Sequence, residues 1–297
     1  MRIEDEKNIL ERIFYEEESK DLYDLLKRIL GLDENGYPNV VNGKILFFAW
    51  KRCQKISVEL ELEAMNERYI DKSEERYELL QKKHMKQIES TFFEMGAYKE
   101  AQLKYCGEEP LHSVELSTFL ISDEVVTKDI YSIYLRRDCD KKESKIPMTN
   151  VSWYDAFMFC KWINCRLPTE AEWEWASRGG TKGSYWCCDS ETDLHNYAWY
   201  SENSDGKIHL SKLLLPNKFG LYDMHGNVWE WCADTYDENY YSHSPIKNPI
   251  NMEKNKCKVC RGGSINAFSE MCRCNFRNYE SAELKAEDIG FRVAKTV

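Results

Sequence analysis

The chain has 297 residues, of which 42% are hydrophobic, 13% aromatic and 31% charged, with only 14 Gly and 7 Pro. This composition can form a sizeable buried core and excludes collagen-like, low-complexity and intrinsically disordered classes. The formal net charge of −10 argues against a nucleic-acid-binding protein, because such proteins neutralise phosphates with a clustered basic surface.

Location is predicted from the apolar runs and from the first residues of the chain. No apolar run approaches the roughly 20 residues that span a bilayer, and the longest compact one covers residues 45–50. The opening MRIEDEK carries charges where a secretory signal has an apolar stretch. We therefore expect a cytoplasmic protein with no membrane partner, in which the 12 cysteines are free thiols or metal ligands rather than disulfides.

Residues 1–90 are predicted to form an all-α N-terminal domain. Apolar side chains recur at the three- and four-residue spacing of amphipathic helices, at Ile9, Leu10, Ile13, Phe14, Leu22, Leu25, Leu26, Ile29 and Leu30. A second helix is predicted from Leu46 to Met65, and a third from Ser73 to Ile88. Such helices would dock a partner or self-associate.

Residues 91–297 are predicted to form a mixed α+β domain. Short β-rich segments alternate with Gly, Asn and Pro turns and with dense aromatic residues. A helix is expected over residues 152–163, with Ala156, Phe159, Cys160 and Ile163 buried. A second helix is expected to begin at Thr169, which with Glu172 forms a capping box.

Several motifs in this second region occur together and in order. They include RLPTEAEWEWA at 166–176, GLYDMHGNVWEW at 220–231, RGGS at 261–264 and IGFR at 289–292, with further blocks at 92–96, 110–116, 126–127 and 151–156. In this respect the chain resembles the formylglycine-generating-enzyme family, whose domain is also called the sulfatase-modifying-factor domain. The resemblance implies a C-type-lectin-like fold for about two-thirds of the chain, and it leaves the function open because this fold also carries binding proteins.

The family's oxidases hold copper between two cysteines, three and eight residues after the Ser of Gly-Gly-Ser. That pattern places Ala267 and Cys272 at the two positions, with Ser264 near the substrate. One thiolate is therefore missing unless Cys274 replaces it. The family's iron-dependent members carry a His-x-x-x-His-x-Glu site in an added helical domain, whereas His84 has no second histidine at ligand spacing, so we interpret it as structural. Binding of copper or iron, and with it enzymatic activity, stays open.

Calcium is the cofactor that the resemblance supports best. The family's calcium loop matches residues 223–230, where side chains of Asp223 and Glu230 and backbone carbonyls of Gly226 and Val228 would bind a structural ion through oxygen. A capped turn with surface carboxylates is the alternative. A weaker second site is suggested at Asn196, Tyr197 and Asp205.

Four cysteines near the C-terminus, Cys257, Cys260, Cys272 and Cys274, have the spacing of a zinc site in the abstract. However, Cys257 and Cys260 fall on a predicted strand, and an odd separation places side chains on opposite faces. Buried free thiols are therefore the favoured interpretation.

Residues 265–288 are the candidate recognition segment, because in lectin-like relatives the corresponding chain follows an exposed face. Aromatic, Met, amide and carboxylate side chains suit recognition, and the candidates are Asn266, Phe268, Glu270, Met271, Phe276, Asn278 and Tyr279. Arg273 and Arg277 are expected to brace the segment through hydrogen bonds to carbonyls or carboxylates. Simple packing of a loop is the alternative.

Three functions follow from these observations. The first is a non-catalytic module that binds a protein or small molecule through residues 265–288. The alternative is an oxygen-dependent metallo-oxidase of the formylglycine-generating or cofactor-maturation type, acting on a thiol or peptide through Cys272, Cys274 and Ser264. A variable protein of a diversity-generating system is a minor alternative. Such systems diversify this segment by mutating the adenines of Asn codons and keep the final pyrimidine. These codons cannot yield Glu270, Met271, Glu280, Glu283, Lys285 or Glu287.

Overall fold

The architecture is given by a computed structural model that describes residues 3–16, 20–31, 40, 42–55, 77–78, 82–97, 107–187 and 191–297. The helices are α1 (Ile3–Tyr15), α2 (Lys20–Leu30), α3 (Gly43–Lys55), α4 (Lys128–Leu135), α5 (Trp153–Trp162) and α6 (Glu170–Arg178). The strands are β1 (Met85–Ile88), β2 (Thr91–Met95), β3 (His112–Leu116), β4 (Phe119–Ser122), β5 (Ala198–Trp199), β6 (His225–Gly226), β7 (Trp229–Thr235), β8 (Cys257–Arg261), β9 (Asn278–Ser281), β10 (Ile289–Gly290) and β11 (Ala294–Thr296). None of the described helices is long and apolar enough to cross a membrane.

Helices α1, α2 and α3 pack together around one apolar cluster, as their periodicity predicts. Its buried members include Ile13, Leu22, Leu25, Leu26, Ile29, Ile45, Leu46 and Ala49. Helix α2 ends at Leu30, as expected from the turn-forming sequence that follows. The predicted continuation of α3 to Met65 lies outside the described residues.

The helical region is docked on the rest of the chain through α3 and α5. The ring of Phe47 lies 5.5 Å from that of Trp153 and 5.0 Å from that of Tyr154. At the start of α3, the Gly43 amide donates to Oδ1 of Asp155 over 3.1 Å. A Cβ on Gly43 would lie 2.5 Å from backbone atoms of Asp155, so only glycine permits this approach.

The predicted third helix is wrong at its C-terminal end. Met85–Ile88 is strand β1, which pairs antiparallel with β4 in the register Met85↔Ser122 to Ile88↔Phe119, and β11 pairs with the other edge of β4. The strand forms because it pairs with β4, which lies more than 30 residues further along the chain. Local periodicity carries no information about so distant a partner. The sheet of the second region therefore begins before residue 90.

The central sheet has the strand order β10-β7-β8-β9, in which β7 and β8 are antiparallel and β10 runs parallel to β7. Helices α5 and α6 pack beside it. Both predicted helices are confirmed: Ser152 caps α5 with Asp155, and Thr169 caps α6 with Glu172 in the expected capping box. The four side chains predicted to be buried by the first of these helices are all in the core.

The core of the second region contains charged side chains as well as aromatic ones. Glu174, which is fully buried, binds Arg178 through two hydrogen bonds and also binds Arg261. Burial alone would raise the pKa of Glu174, but the two guanidinium groups hold it below its ordinary value. Paired in this way, the charges are tolerated inside the core.

Candidate functional site

The predicted recognition segment, residues 265–288, is partly exposed. Phe268 is 63% exposed and Tyr279 48% exposed, and Asn266 is also exposed. Glu270, Met271 and Asn278 are half-buried, and Met271 packs against the core. The exposed recognition surface is therefore smaller than predicted.

Phe276 is not part of that surface. It is 7% exposed, and its ring lies 5.9 Å from that of Trp229 in the main core. Residues 272–277 are all buried, so the chain passes through the interior in the middle of the segment. The sequence pattern does not predict this burial, because polar residues such as those at 272–277 are usually exposed to solvent.

Those buried polar residues are held by carboxylates from distant parts of the chain. Arg273 donates to Glu108 over 2.8 Å, and Asn275 donates to the same carboxylate over 3.0 Å. Arg277 makes two hydrogen bonds to Glu170, of 2.7 and 2.9 Å. The bracing role predicted for the two arginines is confirmed, whereas their partners were not predictable from sequence spacing.

A cleft beside Tyr279 enlarges the exposed surface. It has a volume of about 590 Å³ and includes Tyr236, Glu238, Asn251, Glu253, Asn255 and Tyr279 in its lining. The rings of Tyr236 and Tyr279 stack at 4.1 Å, which presents one flat aromatic face at the mouth. We call this feature the Tyr279 cleft.

Cys272 and Cys274 are both fully buried. Burial raises the pKa of each thiol above its ordinary value, so both are protonated at neutral pH. A Cβ on Gly263 would lie 2.5 Å from Sγ of Cys272, which shows how closely that sulfur is packed. Sγ of Cys274 instead accepts a hydrogen bond from Oγ of Ser177, 3.5 Å away on α6.

The first copper position of the family's oxidases is also buried. Ala267 is 4% exposed and supplies no side-chain ligand. Ser264 lies nearby, where its carbonyl accepts the Ala267 amide over 3.0 Å and its hydroxyl donates to Asp288 over 2.7 Å. Because Ala267 stands where the second thiolate would be, these residues do not fit a copper ion held by the family's two thiolates.

The zinc hypothesis also fails for the described residues. Cys260 is buried and Cys257 half-buried on β8, and the four C-terminal cysteines form no group with three ligand atoms in mutual reach. The favoured interpretation, free thiols, agrees with this arrangement.

In the predicted calcium loop, one of the two carboxylates binds an arginine side chain. Arg292 donates to both carboxylate oxygens of Glu230, over 2.6 and 2.7 Å, and Trp173 donates to one of them. Oδ2 of Asp223 accepts hydrogen bonds from Ser211 and Lys212, each of 3.0 Å. Since a guanidinium already neutralises Glu230, these residues do not fit a calcium ion bound between Asp223 and Glu230.

Of the two backbone carbonyls predicted for that ion, the one of Gly226 takes part in a hydrogen bond. The amide of Gly226 donates to Gly262 over 2.7 Å, and the carbonyl of Gly226 accepts the Val228 amide over 2.9 Å. The second proposed calcium site stays a prediction: the Asn196 carbonyl accepts the Leu215 amide, the Tyr197 ring packs against Trp186, and Asp205 is exposed.

Comparison with known proteins matches residues 72–297 to the family described as "Sulfatase-modifying factor enzyme 1-like domain". A formylglycine-generating enzyme of Streptomyces coelicolor is 34% identical over 163 residues, which cover 50% of this chain and 52% of that protein. "Inactive C-alpha-formylglycine-generating enzyme 2" of Mus musculus is 41% identical over 172 residues, 52% of this chain and 51% of that protein. The chain thus spans about half the length of these relatives.

Among solved structures, "Treponema denticola variable protein 1" superposes with a TM-score of 0.64 and 29% sequence identity, over 71% of this chain and 94% of that one. These similarities confirm the predicted α+β, C-type-lectin-like architecture. The structure itself shows the helical region that precedes it.

Proposed function

The chain belongs to the sulfatase-modifying factor enzyme 1-like family, and on that premise we propose that it is a non-catalytic binding module. It recognises a protein or small-molecule ligand through the exposed part of residues 265–288. The oxidase alternative would instead require a redox metal near Cys272.

The observation that carries the proposal is the state of the copper positions. Ala267 replaces one thiolate, and the remaining thiol, that of Cys272, is fully buried and packed closely against Gly263. One relative, from mouse, is named as an inactive formylglycine-generating enzyme, and this similarity supports a non-catalytic role.

The binding surface is inferred from exposure and shape. Phe268 is largely exposed, and the Tyr279 cleft supplies a stacked aromatic pair beside acidic and amide groups. Rigid aromatic rings give contact area at low entropic cost. The exposed Phe14 and Tyr15 on α1 offer a separate surface for a partner of the helical region or for self-association.

We also place the protein in the cytoplasm. The described cysteines form no disulfide with one another, which supports a reducing compartment.

Copper loading and oxygen uptake test the proposal. The wild-type chain is treated with Cu(I) under anaerobic reducing conditions, desalted, and assayed for oxygen uptake with a cysteine-containing peptide. The Streptomyces coelicolor enzyme serves as the positive control. We expect the wild type to retain no more copper than Cys272→Ser and to show no peptide-dependent oxygen uptake.

Stoichiometric copper that disappears in Cys272→Ser, accompanied by peptide-dependent oxygen uptake, would overturn the proposal in favour of the oxidase. For the binding surface, peptide and glycan arrays are probed with the wild type and with the double variant Phe268→Ala/Tyr279→Ala. We expect wild-type binding that the double variant loses while its melting temperature is unchanged.

A further inference from the structure

A cluster of ionisable side chains lies outside the proposed binding surface and outside the family's copper and calcium positions. It consists of His84, Asp123, Glu124 and Lys212, with Lys86 at its edge, 4.0 Å from Oδ2 of Asp123. Nδ1 of His84 is 3.5 Å from Oδ1 of Asp123 and 3.2 Å from Oε1 of Glu124. Nζ of Lys212 is 2.8 Å from the same Asp123 oxygen and 3.3 Å from the same Glu124 oxygen. The ammonium group and the imidazole thus face the same two carboxylate oxygens.

The fold brings these residues together through strand pairing. His84 directly precedes β1 and Asp123 directly follows β4, and the Asp123 amide donates to the His84 carbonyl over 2.6 Å. Lys212 arrives on a separate loop, which is fixed where its amide donates to Asp223. The two carboxylates are 7% and 5% exposed, so their positions are held by the core around them.

The distances match those between ligands of a tetrahedral metal ion. With metal–ligand distances of about 2.0–2.1 Å, neighbouring ligand atoms lie about 3.3 Å apart, close to the 3.2 and 3.5 Å from Nδ1 of His84 to the two oxygens. All three ligand atoms lie within 4.8 Å of one another, and no other group of this kind is found among the described residues.

The Asp123 carboxylate is ready to bind a cation. It is 7% exposed, and its Oδ1 faces the His84 imidazole at 3.5 Å and the Lys212 ammonium at 2.8 Å. Its buried Oδ1 receives no well-directed hydrogen bond from the described residues, even though the Lys212 ammonium is close. That oxygen is therefore the atom for which the Lys212 ammonium and a bound cation would compete.

We propose that His84, Asp123 and Glu124 form a binding site for a divalent transition-metal ion, Zn²⁺ foremost, and that the Lys212 ammonium competes with the ion for the two carboxylates. One imidazole and two carboxylates are ligands that Zn²⁺ accepts, and they leave a fourth position for water. Mg²⁺ and Ca²⁺ prefer oxygen ligands alone. The Lys212 side chain is 27% exposed, so it can move to solvent when the ion binds.

The competition makes two variants change affinity in opposite directions. Lys212→Met removes the competing charge, and we expect Zn²⁺ to bind at least about tenfold more tightly, which corresponds to about 1.4 kcal/mol. His84→Gln removes a ligand, and we expect binding at least about tenfold weaker. Lys207→Met is the matched control, since Lys207 is an exposed lysine on the same loop and its removal changes the net charge equally.

Isothermal titration of the full chain with Zn²⁺ gives the affinities, with Mg²⁺ and Ca²⁺ as ions that should not compete. Co²⁺ absorption separates this site from the chain's thiols, because thiolate ligands give intense ligand-to-metal charge-transfer bands and nitrogen and oxygen ligands do not. We expect a Co²⁺ spectrum without those bands that is strengthened by Lys212→Met. The inference is wrong if Lys212→Met binds Zn²⁺ no more tightly than Lys207→Met, or if the only bound Co²⁺ shows thiolate bands.

Discussion

Arg292 holds the carboxylate of Glu230 through two hydrogen bonds, from Nε to Oε2 over 2.6 Å and from Nη2 to Oε1 over 2.7 Å. Both side chains are fully buried. Two further guanidinium hydrogen bonds, each of 3.0 Å, reach the carbonyls of Ser122 and Tyr222. One arginine thus ties β7, the end of β4 and the loop before β6 together, and it binds the carboxylate that the family resemblance assigns to calcium.

Breaking this pair should be costly. Replacing Arg292 by Met leaves Glu230 buried without its counter-charge, and we expect a loss of about 3–5 kcal/mol in the free energy of unfolding, measured by urea denaturation. Arg137→Met, at an exposed arginine, should change it by less than about 0.5 kcal/mol. Calcium should not raise the melting temperature through Glu230. A calcium-dependent rise that Glu230→Gln abolishes would contradict the arginine assignment.

The features predicted correctly are those in which the determining residues lie close in sequence. Thr169 and Glu172 are three residues apart, and the capping box they predict is present. In contrast, local periodicity predicts a helix at Met85–Ile88, because the partner that makes this segment a strand lies at residues 119–122 and does not enter a local pattern. The same pairing brings His84 to Asp123, so a histidine that is solitary in the sequence has carboxylate neighbours in the fold.

Replacing each of the two phenylalanines of the recognition segment should change the free energy of unfolding by very different amounts. Phe276→Ala removes a buried ring beside Trp229 and should lower the free energy of unfolding by about 3 kcal/mol. Phe268→Ala removes a largely exposed ring and should change it by less than about 0.5 kcal/mol. Chemical denaturation of both variants measures this. Equal losses would mean that Phe268 packs in the core and is not free for a ligand.

The docking of the helical region depends on Phe47. Its ring contacts Trp153, Tyr154 and Phe157 at centroid distances of 5.0–5.5 Å. Phe47→Ala should cost about 2–3 kcal/mol and should expose α3 to limited proteolysis before the β-rich region unfolds. Tyr15→Ala, at a side chain that is 83% exposed, is the control and should behave as the wild type. An unchanged cleavage pattern in Phe47→Ala would show that the docking does not depend on this ring.

His225 should make the protein less stable as the pH falls. Burial lowers its pKa to about 4, although its hydrogen bond to the Cys272 carbonyl opposes this shift. In the folded state His225 stays neutral until the pH nears 4, whereas in the unfolded state it takes up a proton below pH 6.5. The contribution of His225 to the free energy of unfolding is therefore fully present above pH 6.5 and is lost as the pH falls toward 4. Between pH 7 and pH 4.5 we expect the wild type to lose about 2 kcal/mol more than His225→Gln. Parallel pH profiles of the two proteins would refute the assignment.

Asp234 should act with the opposite sign. Its carboxylate accepts the amides of Glu170 and Asn251 over 2.7 and 2.8 Å, yet burial and the charge of Glu170 raise its pKa to about 7 from an ordinary value of 3.8. A carboxyl group whose pKa is raised by folding stabilises the folded state when protonated. That contribution is fully present below pH 3.8 and is lost as the pH rises through 7.

Asp234→Asn removes this titration and keeps the shape of the side chain. From pH 5 to pH 8 the free energy of unfolding of the wild type, relative to that of Asp234→Asn, should fall by about 2 kcal/mol. Urea denaturation at several pH values measures the difference, in which the titrations of groups that do not interact with Asp234 cancel. A difference that stays constant across this range would show that Asp234 is ionised throughout and that the surrounding amides outweigh its burial.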